Sequence, residues 1–190
     1  MRAVIEWEQF IIKQRGIMEI FDLYDRDRIP TGETITRGQR PPEDRYHLVI
    51  HICIFNQDGQ MLIQKRSIEK GLWAGMWDVS VGGAAQKGDS SWQAAQRELA
   101  EELGIVFDFS NVRPAFTFNF RYGFDDVYLI HLDPKLEDLK LQGDEVTSVM
   151  WADRATIQSM IASGDFLPYH PSLIDLFFEL RLYPDFFAKK

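Results

Sequence analysis

The stretch from 82 to 105, GGAAQKGDSSWQAAQRELAEELGI, constrains this chain more than any other. Ser90 with Gln93 three residues on has the spacing of a capping box. Asp89 just before it suits the positive end of a helix dipole, and Gly104 supplies a left-handed stop. These signals predict a helix over 91–103. At about 100° per residue, Trp92, Ala95, Leu99 and Leu103 form one apolar face that must pack on a sheet. Glu98, Glu101 and Glu102 fall on the adjoining arc, with Glu102 nearest the core. Acids three and four apart repel by roughly 0.2–0.5 kcal/mol per pair, and Arg97 can pair with Glu101 to relieve only part of this. A hard divalent cation such as Mg²⁺ takes carboxylate oxygens and shares phosphate oxygens with a substrate. A solvated surface helix has the same composition, so the helix alone leaves both readings open.

The flanking sequence supplies the layer against which the helix packs. HLVIHICIF (47–55) and QMLIQKR (60–66) flank Asn-Gln-Asp-Gly, a hairpin signal. Met76–Val81 reads as a short strand running into Gly82-Gly83. PAFTFNFRY (114–122) and DVYLIHL (126–132) are strands joined at Gly123, and EVTSVMW (145–151) is another. A helix follows from Ala155 to Ala162, then an amphipathic one over 172–182, stopped by Pro184. Residues 18–45 are polar and turn-rich, an irregular arm with a short hairpin around Thr31-Gly32. Strands linked by hairpins and mixed with helices predict an α+β fold, a mixed sheet sandwiched between helices.

Bulk properties narrow the partners. A net charge of −8 makes a nucleic-acid polymer or an anionic membrane an unsuitable partner, while a small anion remains accessible through a bound metal. No apolar run approaches the ~20 residues of a membrane helix. The single cysteine, Cys53, lies in an apolar strand, as expected of a buried inert thiol in a reducing cytoplasm. Residues 1–17 read as an extension carrying an apolar helix, suited to a homodimer contact. Glu6 and Glu8 interrupt it, so it is not a signal peptide. Residues 18–190 read as one domain. His47 and His51 share a strand face and suit packing or hydrogen bonding. Trp73, Trp77, Phe118, Phe120 and Tyr122 supply core, with one or two of them expected at a pocket.

From Gly83, five residues lead to Asp89 and seven more to Arg97, followed by Glu98, Leu99, Ala100, Glu101, Glu102, Leu103, Gly104 and Ile105. This resembles the Nudix box, Gly-x5-Glu-x7-Arg-Glu-U-x-Glu-Glu-x-Gly-U with U aliphatic, over residues 83–105. Asp89 stands where the family has Glu. The stretches EIFDLYDRDRIPTGE, YHLVIHICIFNQDGQMLIQKRS, GLWAGMWDVSVGG and EVTSVMW are similar to the branch that includes isopentenyl-diphosphate isomerase. The resemblance implies a Nudix fold and a metal, Mg²⁺ or Mn²⁺, held by Glu98, Glu101, Glu102 and the Gly83 backbone. Arg97 would orient the glutamates, and Glu98 and Glu101 would serve the catalytic water. It also implies that Arg66 and Lys70 contact a diphosphate. The general base, where one is needed outside the box, would come from Asp125, Asp126 or Glu145. Asp126 matches an acidic position that helps bind metal in the isomerase.

The same resemblance separates two reactions. The isomerase pattern Trp-x-x-Ser-x-Cys-Gly-His is here Trp77, Asp78, Val79, Ser80, Val81, Gly82, Gly83, Ala84. Its cysteine is Gly82 and its histidine Ala84, and neither can protonate an alkene or hold a metal through a side chain. The isomerase tryptophan near the C-terminus is Tyr169. The hydrolytic box is nearly complete. The expected activity is hydrolysis of a diphosphate in a small molecule, with an isomerase-like enzyme and a non-catalytic sensor as alternatives.

Overall fold

The computed structural model describes residues 19–69 and 71–182. The expected helix in 1–17, Lys70 and Pro184 lie outside them. The arm begins with a two-stranded antiparallel sheet, β1 (Ile20–Tyr24) and β2 (Pro30–Thr36). Its turn falls at 25–29 rather than at Thr31-Gly32, because the Asp25 carboxylate accepts from the backbone N–H of Asp27 and of Ile29, each at 2.9 Å. Thr31 and Gly32 continue β2.

The main sheet has seven strands built around β3 (His47–Phe55). β3 pairs in parallel with β8 (Gly123–His131) and antiparallel with β6 (Val81–Ala84). β4 (Met61–Arg66) pairs with β5 (Trp77–Asp78) and β9 (Val146–Ala152), and β7 (Phe116–Phe120) closes the β8 edge. The β3–β4 hairpin forms as expected, but its ladder opens beyond Phe55–Met61. Ser80 fills the opening. Its buried hydroxyl accepts from Ile54 N at 2.8 Å and donates to Leu62 O at 2.5 Å, replacing missing rungs. The expected strand Met76–Val81 is thereby broken into β5 and β6.

Alternation along β3 separates two cores. Leu48, Ile50, Ile52 and Ile54 face helix α1 (Ser91–Leu103) and pack with Ala95, Leu99 and Leu103. Cys53 and Phe55 face α2 (Arg154–Ser163) and α3 (Pro171–Leu180), through Ile157, Ile174 and Phe177. The result is the expected α+β arrangement, a mixed sheet between helices. Burial pushes the Cys53 thiol well up, in keeping with an inert core residue. The capping box at Ser90 and Gln93 is present, and Gly104 ends α1 at φ 70°.

Ser80→Ala removes both bonds across the opened hairpin and leaves a buried donor and a buried acceptor unpaired. The expected cost is about 2 kcal/mol or more, read as a lowered chemical-denaturation midpoint with unchanged slope.

Candidate active site

Arg97 is the hub of the box. Its guanidinium donates to Asp89 Oδ2 at 3.0 and 3.2 Å, to Glu98 Oε1 at 2.9 Å, to Glu101 Oε2 at 3.1 Å and to the Ala84 carbonyl at 3.0 Å. One side chain thus ties α1 to the loop that precedes it and to the end of β6. Asp89 also accepts from Gln86 N at 3.1 Å. The residue that departs from the family pattern therefore still closes the loop and anchors the arginine.

Gly83 sits under Glu98. A side-chain carbon built on Gly83 would fall inside the Glu98 carboxylate, so only glycine lets the acid lie on the strand. Burial lifts the Glu98 carboxyl to about 7 against the pull of Arg97, and Glu101 and Glu19 add to the rise. Glu102 is 2 % exposed and accepts from Gln64 Nε2 at 3.0 Å. That places it at the core boundary, as the helix periodicity predicts. Glu101 is half exposed.

Among the described residues, no three Asp, Glu, His or Cys side chains converge closely enough to hold a metal ion. Arg97 draws Glu98 and Glu101 to itself instead. The donor set nevertheless suits a hard divalent cation. Its donors are carboxylate oxygens, one guanidinium faces three carboxylates, and burial already forces one of the three toward neutrality.

The candidates outside the box divide between the sheet faces, since neighbouring strand residues point opposite ways. Asp126 lies on the α1 face, fully buried, and both its oxygens accept from the Arg28 guanidinium. Thr117 Oγ1 donates to it at 2.6 Å. Burial would raise this carboxyl, but the bonds from Arg28, Ser91 and Thr117 outweigh it and hold it low. Asp126 therefore anchors the β1–β2 arm to the sheet, and its hydrogen bonds do not join it to the box glutamates. Asp125 lies on the other face with His51, whose Nδ1 stands 2.9 Å from each of its oxygens. Glu145 leads into β9, with its backbone bonded to Ser67 and Gln142.

Arg66 donates to Asp78 Oδ2 at 3.2 Å and to the Leu72 carbonyl at 3.3 Å, and its Nε is buried without a partner. Asp78 also accepts from the Tyr169 hydroxyl at 2.9 Å. His47 packs between Phe21 and Phe120. Phe118 and Phe120 remain accessible on the edge strand β7. Sequence reasoning did not single out Arg28, Gln64 or Asp78. Each is paired across a long stretch of chain, and no local periodicity marks such a pairing.

Burial pushes the His51 imidazole down, but the Asp125 carboxylate, with Asp78 and Glu102 further off, prevails and lifts it to about 9. The folded value lies above the ordinary 6.5, so this pair stabilises fully below about pH 6.5 and the contribution is lost as pH rises through about 9.

A family model described as NUDIX domain matches residues 45–172. The uncharacterized Nudix hydrolase lmo0368 of Listeria monocytogenes is 45% identical over 152 residues, which cover 80% of this chain and 90% of that protein. An isopentenyl-diphosphate Delta-isomerase of Klebsiella pneumoniae is 34% identical over 146 residues, 74% of this chain and 79% of that protein. The crystal structure of DR0079 from Deinococcus radiodurans superposes with a TM-score of 0.67 at 27% identity, covering 84% of this chain and 97% of that one. The chain belongs to the Nudix family. Its homologues named Nudix hydrolase support hydrolase activity on pyrophosphate bonds of small molecules, and Nudix hydrolases generally use divalent metal ions. No helix among the described residues is long and apolar enough to cross a membrane.

Two outcomes test this geometry. Gly83→Ala should displace Glu98 and, on the expectation that this acid serves the catalytic water, lower kcat about 100-fold while the melting temperature holds. Denaturation midpoints followed from about pH 6 to about pH 10 should fall in the wild type and fall less in Asp125→Asn. Equal slopes would discount the His51–Asp125 pair.

Proposed function

We propose that the chain is a metal-dependent diphosphate hydrolase in which water attacks phosphorus. The observation that carries this reading is the seating of Glu98 on Gly83 under the hand of Arg97. A buried acid is held at bare backbone, with Glu101 and Glu102 on the same helix. Glu98, Glu101, Glu102 and the Gly83 carbonyl would hold Mg²⁺ or Mn²⁺. Bound there, the ion would stabilise the charge that spreads over the phosphate oxygens.

The chain's own groups do the rest. Glu98, fixed by Arg97 and Gly83, orients the attacking water, and Glu101 shares that task from the same arginine. Glu102 is held by Gln64 and sets the depth of the site. A bond forms from water oxygen to phosphorus, the water's proton passes to Glu98 and on to solvent, the bridging phosphorus–oxygen bond breaks, and the departing phosphate takes the electron pair. Arg66 and Lys70 are assigned to the diphosphate. Commitment of Asp126 to Arg28 favours an anchoring role for that acid over a catalytic one. The isomerase reading is disfavoured by Gly82 and Ala84, and His51 adds a reason, since its ring already occupies the space that a side chain at 82 would need.

Glu102→Gln should lower turnover of nucleoside diphosphate derivatives or isoprenoid diphosphates about 100-fold or more. Phosphate release with Mg²⁺ or Mn²⁺ reads this, and circular dichroism checks the fold. An unchanged rate in the metal-replete variant would sink the assignment, as would full activity after exhaustive chelation.

A further inference from the structure

Gly82 has a neighbour that the proposed reaction does not use. A side-chain carbon built on Gly82 would lie 2.9 Å from both Cδ2 and Nε2 of His51. The imidazole edge therefore rests on bare backbone, one residue from the glycine on which Glu98 rests. Its Nδ1 is committed to Asp125 at 2.9 Å. Its Nε2 has the Tyr169 oxygen at 3.5 Å, the long limit of a hydrogen bond; that hydroxyl donates to Asp78, so its oxygen can only accept from the ring. One ring nitrogen thus has a single, weak partner. The His51 and Asp125 side chains are 21% and 20% exposed, so the pair is not sealed in the core.

The site needs such a donor. A diphosphate brings negative charge to a place already rich in carboxylates. Among the guanidinium groups described, Arg97 is committed to Asp89, Glu98 and Glu101 and Arg28 to Asp126, while Arg66, assigned to the diphosphate above, is already shared with Asp78. His51 lies on the sheet face opposite Glu98, but its register partner is Gly82, so its ring and the Glu98 carboxylate rest on neighbouring residues of one strand. With Nδ1–H donating to Asp125, Nε2 carries a hydrogen only on the imidazolium, the form that a paired carboxylate favours; its bond to a phosphate oxygen is then charge-assisted, and the carboxylate fixes the ring's orientation.

We propose that His51 is a diphosphate-binding residue whose Nε2–H, aimed by Asp125 across Gly82, donates to an oxygen of the substrate's diphosphate. For the identity of the ligand this rests on the hydrolase reading above. The glycine at 82, which removes the isomerase cysteine, also makes room for this imidazole.

Two substitutions separate this role from a purely structural ion pair. The amide nitrogen of glutamine falls near the place of Nε2, and that of asparagine near the place of Nδ1. Calorimetry with imidodiphosphate and Mg²⁺ on the full chain is the direct readout. His51→Asn should weaken binding about tenfold or more, while His51→Gln, which keeps a donor at the Nε2 place but not the charge, should lose clearly less. Unimpaired binding by His51→Asn, or an equal or larger loss in His51→Gln, overturns the proposal. Because binding is read without turnover, a wild type that hydrolyses no diphosphate would defeat the hydrolase reading and leave the His51 pattern to be judged on its own.

Discussion

Everything at the site depends on a strand segment without side chains. Along β6, Gly82 admits the His51 ring from one face and Gly83 admits the Glu98 carboxylate from the other. Alternation sends successive residues to opposite faces, so two adjacent glycines open both faces at one point. An ordinary residue at either position would expel a functional side chain from its seat. The segment costs β-propensity, and its place against β3 is secured by pairing from Ile52–Val81 to Val49–Ala84.

What holds the two side chains on those glycines differs from face to face. On the α1 face Arg97 binds three carboxylates and a carbonyl, so loop, strand and helix share one cation. Negative charge remains in excess, and burial raises Glu98. The other face is balanced more locally, with His51 against Asp125 and Arg66 against Asp78, and Tyr169 bound to Asp78 between them. Buried charges that keep partners of this kind are tolerable, whereas removal of one partner strands the other. The family pattern therefore lies on the box face, and the opposite face holds the His51–Asp125 and Arg66–Asp78 pairs.

The helix over 91–103, its caps and its apolar face were legible because each rests on spacing within a few residues. The same holds for Arg97, Glu98, Glu101 and Glu102, whose pattern is local. The β3–β4 hairpin was legible at its turn but not in its splay, because Ser80 acts from a distant strand on Ile54 and Leu62. The turn of the arm was misplaced because Thr-Gly is a common turn signal, whereas Asp25 made two bonds that outweighed it. Asp125 and Asp126 look interchangeable in a sequence, where only the resemblance singles out Asp126. The pleat put them on opposite faces, where one met Arg28 and the other His51.

The sequence by itself determined the α+β class, the acidic helix of the box and the absence of the isomerase cysteine and histidine. These follow from residue type and short spacing, which a chain carries before it folds. Only the tertiary structure decided which acids are anchors and which remain at the site, how Gln64 holds Glu102, and what stands in the space left by Gly82. Those outcomes depend on which strands become neighbours, and pairing across 74 residues for His51 with Asp125, or 98 for Arg28 with Asp126, leaves no mark in local sequence.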